Sequence, residues 1–352
     1  MAYLPQKKPA WLVLEDGRVF KGEAFGAPVE AAGRLVFNTA CVGYQQLLTD
    51  PESLGQVIIE AFPCAGNYGI NDGGDESSHP AAAGFIVREW CEAPSNFLCT
   101  GDIDRYLREK GIPGLGGIDT RALVRSVRDG GELGCLITQT EPNVPAAIEK
   151  IRAFSLKNRI NDYIFNKKYT ISPANPQLTA TLFDFGCKRS FLESLAEAGF
   201  SLTVLPFCEL GKVRTEGAVI LSGGPEEPDC FSEQLPALRE LYRAGNPIFA
   251  VGLSHLLLAQ ALGGSLAVLR HGHRGSNIPA TDKKSGRTLI TTQNHRLYVE
   301  KAAEGEVAFT HAADGSCEGI RYKSALSVQF IPAYERGRMN TGDLFREFIK
   351  ML

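Results

Sequence analysis

The stretch Asn246-Pro-Ile-Phe-Ala-Val-Gly-Leu-Ser-His-Leu-Leu-Leu-Ala-Gln-Ala-Leu-Gly-Gly264 constrains this chain more than any other. A short apolar run ending at Val251 meets a glycine, then a run of helix formers closed by Gly263-Gly264. That order predicts a buried strand turning sharply into a buried helix, with Gly252 at the apex. In parallel α/β sheets such a turn lifts its apex residue above the strand ends. The free N–H groups of the following helix face it, which suits a nucleophile beside an oxyanion site. Glycine has no attacking atom, so the stretch predicts an active-site scaffold with nothing at its apex.

Around this elbow the chain alternates. Residues 178–184, 201–205, 217–222 and 247–251 read as strands, and 188–198 and 235–244 as helices, a rhythm that implies a parallel sheet with helices on its faces. Residues 289–292, 307–310 and 325–330 add strands, and 341–351 forms a closing amphipathic helix. The first half reads differently. Residues 11–20 are two short strands joined at Asp16-Gly17, and 33–38, 57–62, 82–88 and 134–138 are further strands. Residues 39–51 start a turn or short helix that stops at Pro51, 100–110 is a capped helix, and Asp119 caps another over 119–129. Hairpins mixed with a few helices suggest an α+β domain. Residues 66–74 are too rich in glycine and asparagine for regular structure and read as a surface loop. From 141 to 177 the pattern weakens to one helix near 145–153 and a polar tail. The predicted division is 1–140, a connector over 141–177, and an α/β domain over 178–352.

A length of 352 residues accommodates two cores. The formal net charge of −3 excludes a broad electrostatic attraction to nucleic acid or an anionic membrane. The N-terminus has no apolar signal core and no apolar run reaches spanning length, so the expected location is the cytoplasm. Nine cysteines, an odd number without a CxxC pair, read as reduced thiols. His271 and His273 form a lone H-x-H, and neither a metal nor a cofactor is expected.

Colinear motifs carry more. Leu14-Glu-Asp-Gly17, Val36-Phe-Asn-Thr39, Gly43-Tyr-Gln45, Leu48-Thr-Asp-Pro51, Gly66-Asn-Tyr-Gly69, Asn71-Asp72, Glu76-Ser-Ser78 and Asp119-Thr-Arg121 stand in the first half. Asp184-Phe-Gly186, Lys188-Arg189, Leu221-Ser222, Gly224-Pro225, Gln293-Asn-His295, Asp314-Gly315 and Gly319-Ile320 stand in the second. In this order they resemble the small, glutaminase-type subunit of carbamoyl phosphate synthetase, whose second half is a triad-type glutamine amidotransferase. The resemblance covers nearly the whole chain. It implies a partner, the large ATP-using subunit. That subunit receives ammonia through a tunnel and makes carbamoyl phosphate for pyrimidine and arginine synthesis.

The same resemblance assigns the site. The family's Gly-Ile-Cys-Leu-Gly-His-Gln elbow stands here as Ala250 to Leu256, which puts Gly252 at the cysteine, keeps Leu253, and puts Leu256 at a substrate-holding glutamine. The base and its orienting glutamate fall on Ile331 and Ala333, neither of which does proton chemistry. Of the other glutamine contacts, Gly224 and Asn294 are kept, while Glu52, Glu226, Arg296 and Leu297 are replacements. These changes imply a small subunit unable to hydrolyse glutamine, partnering a large subunit that uses free ammonia.

Two other classes stay open. One is a stand-alone binding or regulatory module, in which Arg296 meets a carboxylate or phosphate in a cleft dried by Leu256, Ile331 and Ala333. The other is a hydrolase with a relocated nucleophile, Ser254 or a thiol at Cys187 or Cys230. Ser254 falls two residues beyond the apex and reads as a structural residue of the first helical turn, and His255 as a packing or capping histidine. Glu226 and Glu227, adjacent on a proline-flanked loop, read as solvated. His271-Gly-His-Arg-Gly275 reads as a structural loop.

Overall fold

Asp16 and Gly17 turn β1 (Pro9–Leu14) back onto β2 (Val19–Gly26), with Val13 opposite Val19. The computed structural model describes residues 8–164, 167–213, 215, 217–333 and 341–352, and the chain divides into two units, Met1–Leu156 and Lys157–Leu352.

In the first unit the hairpin is followed by β3 (Ala31–Asn38), α1 (Tyr44–Thr49), β4 (Gln56–Glu60), β5 (Cys64–Ala65), β6 (Gly84–Ile86) and β7 (Glu89–Trp90). Then come α2 (Ile103–Lys110), β8 (Pro113–Gly116), α3 (Thr120–Gly130), β9 (Leu133–Thr138) and α4 (Val144–Arg152). The strands close into a barrel in the order β1-β2-β8-β6-β4-β3-β9, mixing parallel and antiparallel pairs. Alternation explains how short strands bury both faces. Leu35, Val57, Ile59 and Ile86 pack in one cluster, while their neighbours Val36, Ile58 and Phe85 pack in another against α1 and α2. The α+β expectation therefore takes the specific form of a barrel with helices outside it.

The first-half motifs build a support for the glycine-rich loop. Tyr44 stacks on Tyr68 at 4.3 Å, and the Tyr68 hydroxyl accepts the Gly43 N–H at 2.6 Å. The Gln45 amide donates to the Asn71 carbonyl and the Asp75 carboxylate, which also accepts from Tyr106 and Lys110. α2 starts where the Asp102 carboxylate accepts the Arg105 N–H at 2.9 Å. Asp102→Ala is expected to cost about 1 kcal/mol, measured as a shift of the first unit's denaturant midpoint.

The second unit comprises α5 (Lys157–Tyr163), β10 (Tyr169–Ile171), β11 (Leu178–Asp184), α6 (Arg189–Glu197), β12 (Phe200–Pro206), β13 (Ala218–Leu221) and α7 (Leu235–Arg243). It continues with β14 (Ile248–Val251), α8 (Leu253–Ala261), β15 (Ser265–Asp282), β16 (Thr288–Lys301), β17 (Glu306–His311), β18 (Cys317–Arg321), β19 (Ala325–Val328) and α9 (Asp343–Ile349). Its sheet runs β10-β12-β11-β13-β14-β19-β18-β17-β15-β16. The strands from β12 to β19 in that order are parallel, and the remainder are antiparallel. α9 packs on the parallel part, Phe348 stacking on Phe249 at 5.3 Å.

Two sequence readings are corrected here. The 141–177 segment is not one connector. Ala147 and Ile151 of α4 bury against Val13 and Leu136 of the barrel, and β10 pairs with β12 in the second sheet. The weak pattern came from short elements that each bury only one narrow face. The run His271-Gly-His-Arg-Gly275 is not a loop but part of β15, with His273 opposite His295 across a register shift after Val268. Glycines that read as loop residues accommodate the bulge, Gly272 at φ 57°. All nine cysteines are free thiols. No helix among the described residues is long and apolar enough to cross a membrane.

Candidate functional site

The elbow forms because β14 is buried on both faces and α8 all round. Leu253, Leu256, Leu257 and Leu258 are each covered, so both elements are held while the chain reverses within one residue. That residue is Gly252, at φ 55° and ψ −123°, a conformation that an L side chain adopts only with strain. Its N–H donates to the Val328 carbonyl at 2.9 Å, and its carbonyl accepts the His255 N–H at 3.0 Å.

The residues after the apex are committed to the scaffold. Ser254 is buried, and its hydroxyl donates to the Ser222 carbonyl at 2.5 Å. His255 is buried with Nδ1 2.7 Å from the Ser327 hydroxyl, and burial pushes its pKa down to about 3, so it is neutral. Of the two thiols considered, Cys230 is pushed up by burial and then by Glu227, away from the reactive thiolate. The Cys187 thiol lies 3.6 Å from the Lys188 carbonyl.

Beside the elbow, the loop after β13 brings Gly224 against the Phe185 carbonyl so closely that a Cβ would lie 2.0 Å from that oxygen. Packing alone therefore requires glycine there. Two residues on, Glu226 corrects the solvated reading, since it is only 8% exposed. Its carboxylate accepts the Arg296 N–H at 2.8 Å and the Leu297 N–H at 2.6 Å. Burial raises its pKa to about 7 against the pull of these amides and of Arg274 and Arg296. Arg296 extends its guanidinium towards Glu226 and Glu227, at 3.9 and 3.6 Å. The anion that Arg296 meets is thus the chain's own.

Of the remaining assigned positions, Asn294 is buried in β16 opposite Arg274. Ile331 packs half-buried against the second unit's core. Ala333 is exposed, and its N–H donates to the Thr341 hydroxyl at 2.9 Å. Glu52 belongs to the first unit, in the turn Pro51–Ser53, where its N–H donates to the Asp50 carboxylate. Leu256 lies within the core face of α8.

Reading the histidines by spacing missed one grouping. β15, β16 and β18 bring His273, His295 and Glu318 together, with Asp314 and His311 beside them. Burial opposes a charge on His273, but Glu318 and Asp314 outweigh it and raise its pKa. Burial and then the neighbouring His273 hold His295 well below the ordinary range. No short-range motif signals this set, because its members lie on three strands.

Comparison with known proteins agrees with this architecture. The family described as carbamoyl-phosphate synthase small chain, CPSase domain, matches residues 12–137, and the class-I glutamine amidotransferase family matches residues 181–351. A carbamoyl phosphate synthase small chain of Clostridium perfringens is 37% identical over 348 residues, covering 97% of this chain and 99% of that one. One from Bacillus cereus is 36% identical, covering 97% and 95%. A carbamoyl phosphate synthase pyrimidine-specific small chain of Bacillus subtilis is 35% identical with the same coverage.

Proposed function

We infer that this chain, which belongs to the carbamoyl-phosphate synthase small-chain family, serves as a small subunit that does not hydrolyse glutamine and partners an ammonia-using large subunit. The observation that carries the reading is the seat of Glu226. Its carboxylate occupies the backbone N–H groups of Arg296 and Leu297, positions where the family resemblance places glutamine contacts.

Glutaminase chemistry needs a thiolate to attack the side-chain amide carbon, N–H groups to hold the resulting oxyanion, and a base to return a proton to departing ammonia. Here the first N–H groups of α8 still point at the apex, as in any helix N-terminus. Gly252 supplies no nucleophile, Ile331 no base and Ala333 no orienting group. A substrate reaching those amides would find them taken by Glu226, which above pH 7 is itself charged. Each loss alone disables a step, and together they leave a scaffold.

The role that remains is structural or regulatory: stabilising the large subunit, shaping ammonia entry, or coupling conformational states. The stand-alone anion-binding alternative loses support because Arg296 faces Glu226 and Glu227. Co-expression with the cognate large subunit tests the reading. A co-purifying complex should make carbamoyl phosphate from ATP, bicarbonate and ammonium, and none above background from glutamine. Glutamine-driven synthesis by that complex would overturn it.

A further inference from the structure

The structure assigns to His273, His295 and Glu318 a binding site for one divalent transition-metal ion, with zinc the best match and the Gln293 amide oxygen as fourth donor.

The donor atoms stand at metal-ligand separations. His273 Nδ1 lies 3.0 Å from Glu318 Oε1, and His295 Nε2 lies 3.8 Å from that oxygen and 3.0 Å from Gln293 Oε1. The two ring nitrogens and the carboxylate oxygen all fall within 4.8 Å of one another. Ligands about 2.0–2.1 Å from a tetrahedral zinc stand about 3.4 Å apart, within the spread seen here.

Each histidine ligand is also supported from behind. A metal-bound imidazole donates its other N–H to a carboxylate or a carbonyl, which fixes the tautomer. His273 Nε2 lies 2.9 Å from the Asp314 carboxylate, itself held by the Ser316 N–H and hydroxyl. His295 Nδ1 lies 2.9 Å from the Leu297 carbonyl. Gln293 donates its Nε2 to Glu318 Oε2 and to the Thr291 hydroxyl, which turns its Oε1 towards His295.

The protons on His295 point the same way. A neutral imidazole carries one N–H, yet both nitrogens of His295 face oxygen acceptors, Leu297 O at 2.9 Å and Gln293 Oε1 at 3.0 Å. One of these contacts sets lone pair against lone pair. A cation between His295 Nε2 and Gln293 Oε1 removes the conflict. At His273 the ion takes the place of the Nδ1 proton shared with Glu318, which leaves to solvent. Asp314 and His311 stand behind His273, and His311 Nδ1 accepts the Ala313 and Asp314 N–H groups at 3.3 Å.

With imidazole, carboxylate and amide donors on β15, β16 and β18, the ion would tie three strands together. The test uses the full chain, purified without a histidine tag and stripped with chelator. Dialysis against zinc should give one ion per chain by mass spectrometry and a rise in thermal midpoint. Cobalt should give visible absorption of a four-coordinate site without thiolate charge transfer, which excludes the nine cysteines. Glu318→Gln and His295→Gln should abolish uptake, Asp314→Asn should weaken it about 10–100-fold, and His271→Gln should leave it unchanged. If the two ligand variants misfold, the cobalt spectrum of the unmodified chain decides. No stoichiometric uptake, a thiolate spectrum, or full uptake by folded Glu318→Gln overturns the assignment.

Discussion

Gly252→Cys is expected to leave glutamine hydrolysis at background and to lower stability by about 1–3 kcal/mol. The stability cost follows from φ 55° and ψ −123°, where a Cβ is strained and glycine is not. The catalytic result follows from what surrounds the apex. The family resemblance puts Ile331 and Ala333 at the positions of the base and its orienting partner, so a thiol restored there has no such pair, and the nearby His255 is buried, neutral and engaged with Ser327. Removing the base from a nucleophile–base pair costs about a millionfold in kcat, so a nucleophile alone restores almost nothing. Ammonia release by the variant and by an active family member would be compared with and without large subunit. Activity of the variant within about a hundredfold of the active member would overturn the assignment of Ile331 and Ala333.

Adding Ile331→His and Ala333→Glu supplies the side chains that the family resemblance places in the triad but leaves Glu226 on the amides of Arg296 and Leu297. Glu226→Gly is the step that frees those amides, so its effect should appear only in the presence of the other three. Such dependence is the behaviour of residues acting as a unit.

Much of this was legible in the residues. The elbow at Gly252, the hairpin at Asp16-Gly17 and the cap at Asp119 are local signals: a breaker or capping side chain beside an apolar run, each satisfied within a few residues. What stayed hidden depends on pairing between distant strands. Glu226 reads as solvated because its loop is polar, but burial comes from β16, some seventy positions on. His273 looks like half of an idle H-x-H until β15 and β16 pair it with His295. The closed barrel is hidden for the same reason, since β1 meets β9 only across the whole first unit.

Glu60→Gln is expected to stabilise the first unit at pH 8 by about 2–4 kcal/mol and to change little at pH 5. Glu60 ends β4 at 3% exposure, and its carboxylate accepts the Phe62 N–H at 3.3 Å. Burial raises its pKa from 4.5 to about 8, a shift that this one amide opposes without reversing. Between those values the folded chain keeps a proton that the unfolded chain has released, so stability falls as pH rises through the window and levels off above 8. Glutamine keeps the shape of the protonated acid and removes the titration, so the difference between the two proteins should open across that same window. Glu226 titrates in the same direction in the second unit, which makes the wild-type slope alone ambiguous. Both tryptophans, Trp11 and Trp90, lie in the first unit, so their fluorescence in urea isolates its unfolding. A wild-type minus variant difference that stays flat from pH 5 to 8 would mean that Glu60 is charged in the fold, paired in a way that burial does not defeat.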